Sequence, residues 1–259
     1  MFAWLRQRRR RALREQPFPS TWDEFIRRNV QQVQWLDETE RQYLREWIAV
    51  FIAEKYFEGC GGLEVTDEIR VTIAAQAGLI VLGFHNEYFE SLRSIIVYPS
   101  DYVASRAIPL RGGGELAWQE VRLGETWSGG SVVLAWSRVL EGGRQQHGRR
   151  NVVLHEFAHL VDLFDGVIDG VPLLEGDRKR WEMAFSRCRN TFENSLENNE
   201  PTILDAYAAE GASEFFAVAT ECFFQDPHRL ASHDDELYEL LRLAWRQDPK
   251  SRSPILHDG

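Results

Sequence analysis

The chain has 259 residues, 44% of them hydrophobic, including nine Trp and fifteen Phe. That supplies a substantial core and excludes a disordered or fibrous chain. The net charge of −10 argues against direct nucleic-acid binding, and no apolar run approaches the roughly twenty residues of a membrane span.

The first fourteen residues hold Arg6, Arg8, Arg9, Arg10, Arg11 and Arg14. Phe2-Ala3-Trp4-Leu5 is too short for a secretory signal, and Gln16-Pro17-Phe18-Pro19 stands where a twin-arginine signal needs apolar residues. Residues 1–19 are therefore expected to be an Arg-rich tail, either solvated or touching an acidic partner or anionic lipid. Ser20 and Asp23 predict the start of a helix running to about residue 34. A second helix is expected over 37–57, where Leu44, Trp47, Ile48, Phe51 and Ile52 repeat at three and four. Gly59-Cys60-Gly61-Gly62 ends it, and a third helix is expected over 66–77.

Strands are expected at 95–98, 120–123 and 131–136. The run from Gly129 to Trp136 reads equally as a core strand or as a sheet edge that a bound peptide extends. Gly112-Gly113-Gly114 reads as a turn, without the Lys-Ser/Thr of a phosphate loop. From Gly148 on, helices are expected over 151–165, 177–196, from Gly211 to Pro227, and over 234–246. Three widely spaced cysteines (Cys60, Cys188, Cys222) form no C-x-x-C, which points to reduced thiols and a cytoplasmic location. The predicted fold class is α+β. N-terminal helices and a small mixed sheet (20–147) pack against a helical part (148–248) as one domain, followed by a C-terminal tail over 249–259.

The most informative stretch is His155-Glu156-Phe157-Ala158-His159. Residues four apart share one face of a helix, so both imidazoles point at one spot, as two ligands of a tetrahedral metal must. Glu156 reaches the same spot without being needed as a ligand. The flanks Val152-Val153-Leu154 and Leu160-Val161 are apolar, a helix start is available at Asn151, and a stop at Asp165-Gly166. This is the pattern of a hydrolytic zinc site, in which Glu156 takes a proton from a water acidified by one Zn2+ per chain. No Cys lies near His155, which disfavours a closed structural zinc site.

A catalytic zinc needs a third protein ligand. Asp165 could serve if the chain folded back after the helix, but Asp162 stands where a left-handed Gly would ease that turn. The alternative is a Glu from the downstream helix. Glu214 sits between Ser213 and Phe215-Phe216 at the edge of an apolar face, and Glu221 lies two turns on. Glu221 suits a role behind a ligand His better than direct ligation, and Glu210 is expected to be exposed. Asp162, one turn beyond His159, is a candidate acceptor for a ring N–H.

The H-E-x-x-H motif followed by Tyr207 and Glu214 in D-x-Y-A-x-x-x-x-x-E-F-F-A-V resembles the Mlc titration factor A family of bacterial zinc peptidases, which is related to the catalytic domain of anthrax lethal factor. Arg93-Ser94-Ile95-Ile96-Val97-Tyr98-Pro99 extends the resemblance upstream. It implies a zincin-like metallopeptidase fold with zinc in the cleft between the two parts. His155, His159 and Glu214 would be the zinc ligands, Glu156 the general base, and Tyr207 the group facing the reacting oxygen. It further implies an aminopeptidase-like activity on short or unfolded peptides. The implied partner is an Mlc-like transcriptional repressor, which the protein could instead mainly sequester.

Overall fold

A computed structural model describes residues 2–84, 87–100, 108–109, 115–116, 130–144, 150–172 and 177–254. Helix α1 (Phe2–Arg14) is followed by α2 (Ser20–Asn29), a 3-10 turn (Gln31–Trp35) and α3 (Glu38–Glu54). Strand β1 (Tyr56–Gly59), helix α4 (Asp67–Val81) and strand β2 (Ser94–Tyr98) come next. A two-residue pair, β3 (Ile108–Pro109) with β4 (Glu115–Leu116), is antiparallel. Strand β5 (Ser131–Ala135) runs into α5 (Trp136–Arg144). Then come α6 (Val152–Asp162), α7 (Arg178–Glu197), α8 (Ala212–Gln225), α9 (Pro227–His233), α10 (Asp235–Trp245) and α11 (Pro249–Arg252).

Helix α4 is the hub. Every residue from Val71 to Val81 is buried, so it presents apolar surface all round, as a helix enclosed by neighbours must. It packs against α2, α3, α5 and α6. On α3 the predicted stripe faces this hub: Leu44, Trp47, Ile48 and Phe51 are buried, and Trp47 stacks on Phe51 with ring centroids 4.6 Å apart. Asp37 starts α3 with a capping box: its carboxylate accepts the Glu40 N–H at 2.8 Å, and Glu40 accepts the Asp37 N–H at 3.1 Å.

Helix α3 stops three residues before its expected end. Lys55 is extended, and its ammonium donates to the carbonyls of Phe89 (2.7 Å) and Leu92 (2.8 Å). Phe57, expected on the helix, lies in β1, because the β1–β2 ladder supplies its backbone hydrogen bonds and an aromatic residue suits a strand. Likewise α2 ends at Asn29, where Val30 turns extended. The larger sheet has the order β1-β2-β5 and is parallel, not mixed as expected. Parallel neighbours follow from the helical crossover between β1 and β2. Among the described residues, strand β5 is an edge of this sheet. The expected strand over 120–123 and the Gly112-Gly113-Gly114 turn lie outside the described residues.

The expected N-terminal tail is instead a helix docked on α3. Arg10 is only 2% exposed and bonds both oxygens of Glu54, Nε to Oε1 at 2.8 Å and Nη2 to Oε2 at 2.7 Å. Its guanidinium also sits 4.2 Å from the Tyr88 ring centre. An arginine fork matched to a carboxylate fixes position as well as charge, which an unpaired arginine run in sequence does not reveal. The C-terminal tail is also partly structured: α11 is capped by Asp248, and Arg252 pairs with Glu40.

Burial raises the Glu54 pKa, but bonding to Arg10 outweighs it and holds the carboxyl below its ordinary value. The pair's stabilisation is thus complete above the ordinary carboxylate range and is lost as pH falls through the lowered pKa. Arg10→Met should cost about 3 kcal/mol in urea unfolding at neutral pH, because it leaves Glu54 without its partner. The difference from wild type should shrink as pH is lowered through the carboxylate range.

Candidate metal centre

Asn151 caps α6, its side-chain oxygen accepting the N–H groups of Val153 (3.1 Å) and Leu154 (3.0 Å). The helix ends in a 3-10 turn at Leu163–Asp165, and Gly166 at φ 91° reverses the chain where the sequence predicted a stop. In between, His155 and His159 bring their Nε2 atoms to 3.2 Å from each other.

Helix α8 delivers the third group. Glu214 lies in its first turn, 6% exposed, with Oε2 3.1 Å from His155 Nε2 and Oε1 3.6 Å from His159 Nε2. Among the described residues, His155, His159 and Glu214 form a group whose donor atoms all lie within 4.8 Å of one another. Tetrahedral zinc with bonds of 2.0–2.2 Å spaces its ligand atoms about 3.3 Å apart. The two imidazole nitrogens, 3.2 Å apart, match that spacing, and each has a different Glu214 oxygen 3.1–3.6 Å away, so the carboxylate is close enough to complete the set. Glu214 Oε2 is also a buried acceptor with no well-directed hydrogen-bond donor, as a metal-facing oxygen would be.

Charge is concentrated here. Burial lowers the His155 pKa, but the adjoining Glu214 and Glu221 carboxylates prevail and raise it to about 10. Burial raises the Glu214 pKa, and the two imidazoles override it, holding it at about 2. Burial pushes the neighbouring Glu156 carboxyl up. Tyr207 stands on the 3-10 turn Ala206–Glu210, 48% exposed, its ring centre 6.0 Å from that of His155. Burial and then the Glu214 charge push its hydroxyl up to about 12. A cavity of about 690 Å3 opens beside these groups, lined by His155, Glu156, Tyr207, Val152, Val218 and Glu210. A larger groove between α7 and α10 contains none of them.

The supports are as specific as the candidate ligands. Glu221 Oε1 lies 2.8 Å from His155 Nδ1, and its other oxygen accepts the Asn151 N–H, so it stands behind a candidate ligand as expected. Asp162 departs from expectation. It is fully buried, but its Oδ2 accepts the Gly170 N–H at 2.8 Å, while Asp162 Oδ1 and His159 Nδ1 are both without a hydrogen bond. A backbone amide brought round by the Gly166 turn takes one carboxylate oxygen and leaves the other without a donor. Burial raises the Asp162 pKa to about 6. Gly170, at φ 78°, lies against the start of α8: a Cβ there would be 2.3 Å from the Ala212 carbonyl oxygen. Asp162 thereby ties α6 to α8 through one loop.

Asp165, the alternative third ligand, points elsewhere. It pairs with Arg178 and accepts the Val167 N–H. Two contributors were not singled out from sequence. Arg150 pairs with Asp205, and Asp205 accepts the Tyr207 N–H at 3.1 Å, holding the Tyr207 turn against the start of α6. The signal was the D-x-Y spacing, an Asp two residues before a turn residue.

The model of the family described as glucose-regulated metallo-peptidase M90 matches residues 4–246. An uncharacterized protein of Synechocystis sp. is 34% identical over 244 residues, covering 93% of this chain and 89% of the relative. Mlc titration factor A proteins of Yersinia pestis and Yersinia pseudotuberculosis are 27% identical over 235 residues, covering 89% of this chain and 86% of theirs.

Removing single groups separates the alternatives. Glu214→Ala should abolish retention of zinc through gel filtration, whereas Asp165→Ala should retain it. Glu221→Ala should weaken zinc affinity about 10–100-fold, as loss of a group behind a metal-binding His does. Metal content and competition with a fluorescent chelator measure all three.

Proposed function

The chain belongs to the glucose-regulated metallo-peptidase M90 family, and on that footing we propose that it is a zinc-dependent peptidase. In this reading His155, His159 and Glu214 hold one Zn2+ per chain, Glu156 is the general base and Tyr207 faces the reacting carbonyl. The observation that carries it is the convergence of three donor groups, their ligand atoms within 4.8 Å of one another, with a further carboxylate, Glu156, beside them. When bound, a zinc ion supplies Lewis acidity, polarising a peptide carbonyl and acidifying water.

The chain's own groups do the rest. Glu156 accepts the proton of the attacking water and returns it to the departing amine. The Tyr207 hydroxyl donates a hydrogen bond to the carbonyl oxygen as negative charge develops on it. Glu221 keeps His155 aimed, and Arg150 with Asp205 keeps Tyr207 in place. The peptide lies beside the 690 Å3 cavity, and the edge of β5 offers backbone groups for pairing an extended substrate. The site lies in a cleft of an α+β zincin-like domain and acts on short or unfolded peptides in an aminopeptidase-like manner. Three free cysteines fit a cytoplasmic setting.

A second reading is favoured by the name of the relatives, Mlc titration factor A. In it the protein mainly sequesters an Mlc-like transcriptional repressor, and peptidase activity is secondary. Glu156→Gln divides the two. Zinc should stay bound and peptide hydrolysis should fall about 10²–10⁴-fold, the usual worth of a general base. Repressor binding, measured by calorimetry, should be unchanged. Hydrolysis that survives the substitution would remove Glu156 from the mechanism.

A further inference from the structure

Helix α1 has two faces with opposite destinations. Toward the body, Arg10 bonds Glu54 and lies 3.5 Å from Glu90, Arg6 pairs with Glu90 at 3.0 Å, and Leu13 packs on the core. Away from the body, helical spacing places Trp4, Arg8 and Arg11 on one line, with Leu5 and Ala12 beside it. Trp4 is 63% and Leu5 49% exposed, so two large apolar side chains stand in water in the first turns of the helix. Arg8 lies over the Trp4 ring at 5.6 Å. The first fifteen residues carry six arginines against one glutamate, in a chain of net charge −10. The remainder is therefore at −15, and α1 is a cationic strip on an acidic body.

We infer that the outer face of α1 is a docking surface for a lipid bilayer bearing anionic headgroups. Arginine forks match phosphate oxygens, and a tryptophan with a neighbouring leucine is suited to the headgroup level, where the indole ring is half apolar and half polar. Charge alone would serve any polyanion. The exposed Trp4 and Leu5 favour a surface with an apolar layer beneath its phosphates. Because Arg10 holds the helix to α3, α1 would carry the whole chain to the surface rather than peel away from it. No helix of the described residues is long and apolar enough to cross a membrane, so the attachment is peripheral.

The test is co-sedimentation of the full chain with vesicles of phosphatidylcholine alone and of phosphatidylcholine mixed with phosphatidylglycerol. Wild type should partition onto the mixed vesicles and not onto phosphatidylcholine, and high salt should release it. Replacing both Arg8 and Arg11 by Gln should weaken binding about thirtyfold, the effect of two basic residues at an anionic surface. Replacing Trp4 and Leu5 by Ser should weaken it about tenfold, with the unfolding temperature unchanged in both variants. Absence of binding to mixed vesicles overturns the inference, as does equal binding by wild type and the arginine variant. Binding of duplex DNA or polyglutamate as tight as that of mixed vesicles, and insensitive to the Trp4 and Leu5 changes, would assign the surface to a polyanion instead.

Discussion

The carboxylate of Glu221 is the fixed point of the molecule. Buried between two helices, it must be neutralised and bonded, because an unpaired charge there would cost several kcal/mol. It does this with the Asn151 N–H and the His155 imidazole, both at the start of α6. One side chain of α8 therefore sets the rotation of α6 and the aim of its first histidine. Seven residues earlier on the same helix, Glu214 is carried to the opposite side of that ring. The two glutamates stand two turns apart on one face of α8, and the two histidines stand one turn apart on one face of α6. Two amphipathic helices pressed together by their apolar residues can then present four polar groups in one plane of contact.

Around this pair the packing is rigid where position matters. Helix α4 packs against α6, and Phe157, between the two histidines, packs its ring on Phe51 and Phe89. The face of α6 opposite the histidines is therefore locked into the central core. Ring contacts of this kind resist rotation of a helix about its axis, and such rotation would swing both imidazoles away from Glu214.

The candidate metal-site residues were legible because helical geometry makes them so. His155 and His159 share a face in any helix, and a Gly followed by small residues announces the helix that carries Glu214. The caps at Asn151, Asp177 and Asp234 were readable for the same reason, since an Asn or Asp at a helix start has a local partner. Features set by distant partners were not legible. Arg10 lies in a run of arginines and nothing local marks it as the buried one; its carboxylate is 44 residues away. Phe57 closes the stretch that reads as the α3 helix, yet the ladder with β2 claims it. Asp162 stood at a plausible distance from a histidine, and the backbone amide of Gly170 reached it by way of a left-handed turn that spacing alone could not place.

Gly170 has a consequence of its own. It sits between the end of α6 and the first turn of α8 with no room for a methyl group, so the two backbones there are about as close as a polypeptide allows. That contact works as a shim of minimum thickness between the helix bearing the histidines and the helix bearing Glu214. A side chain there would part the two backbones, and with them the faces that bring His155, His159 and Glu214 together. The closeness of the cluster is therefore written partly in a residue that offers no side chain.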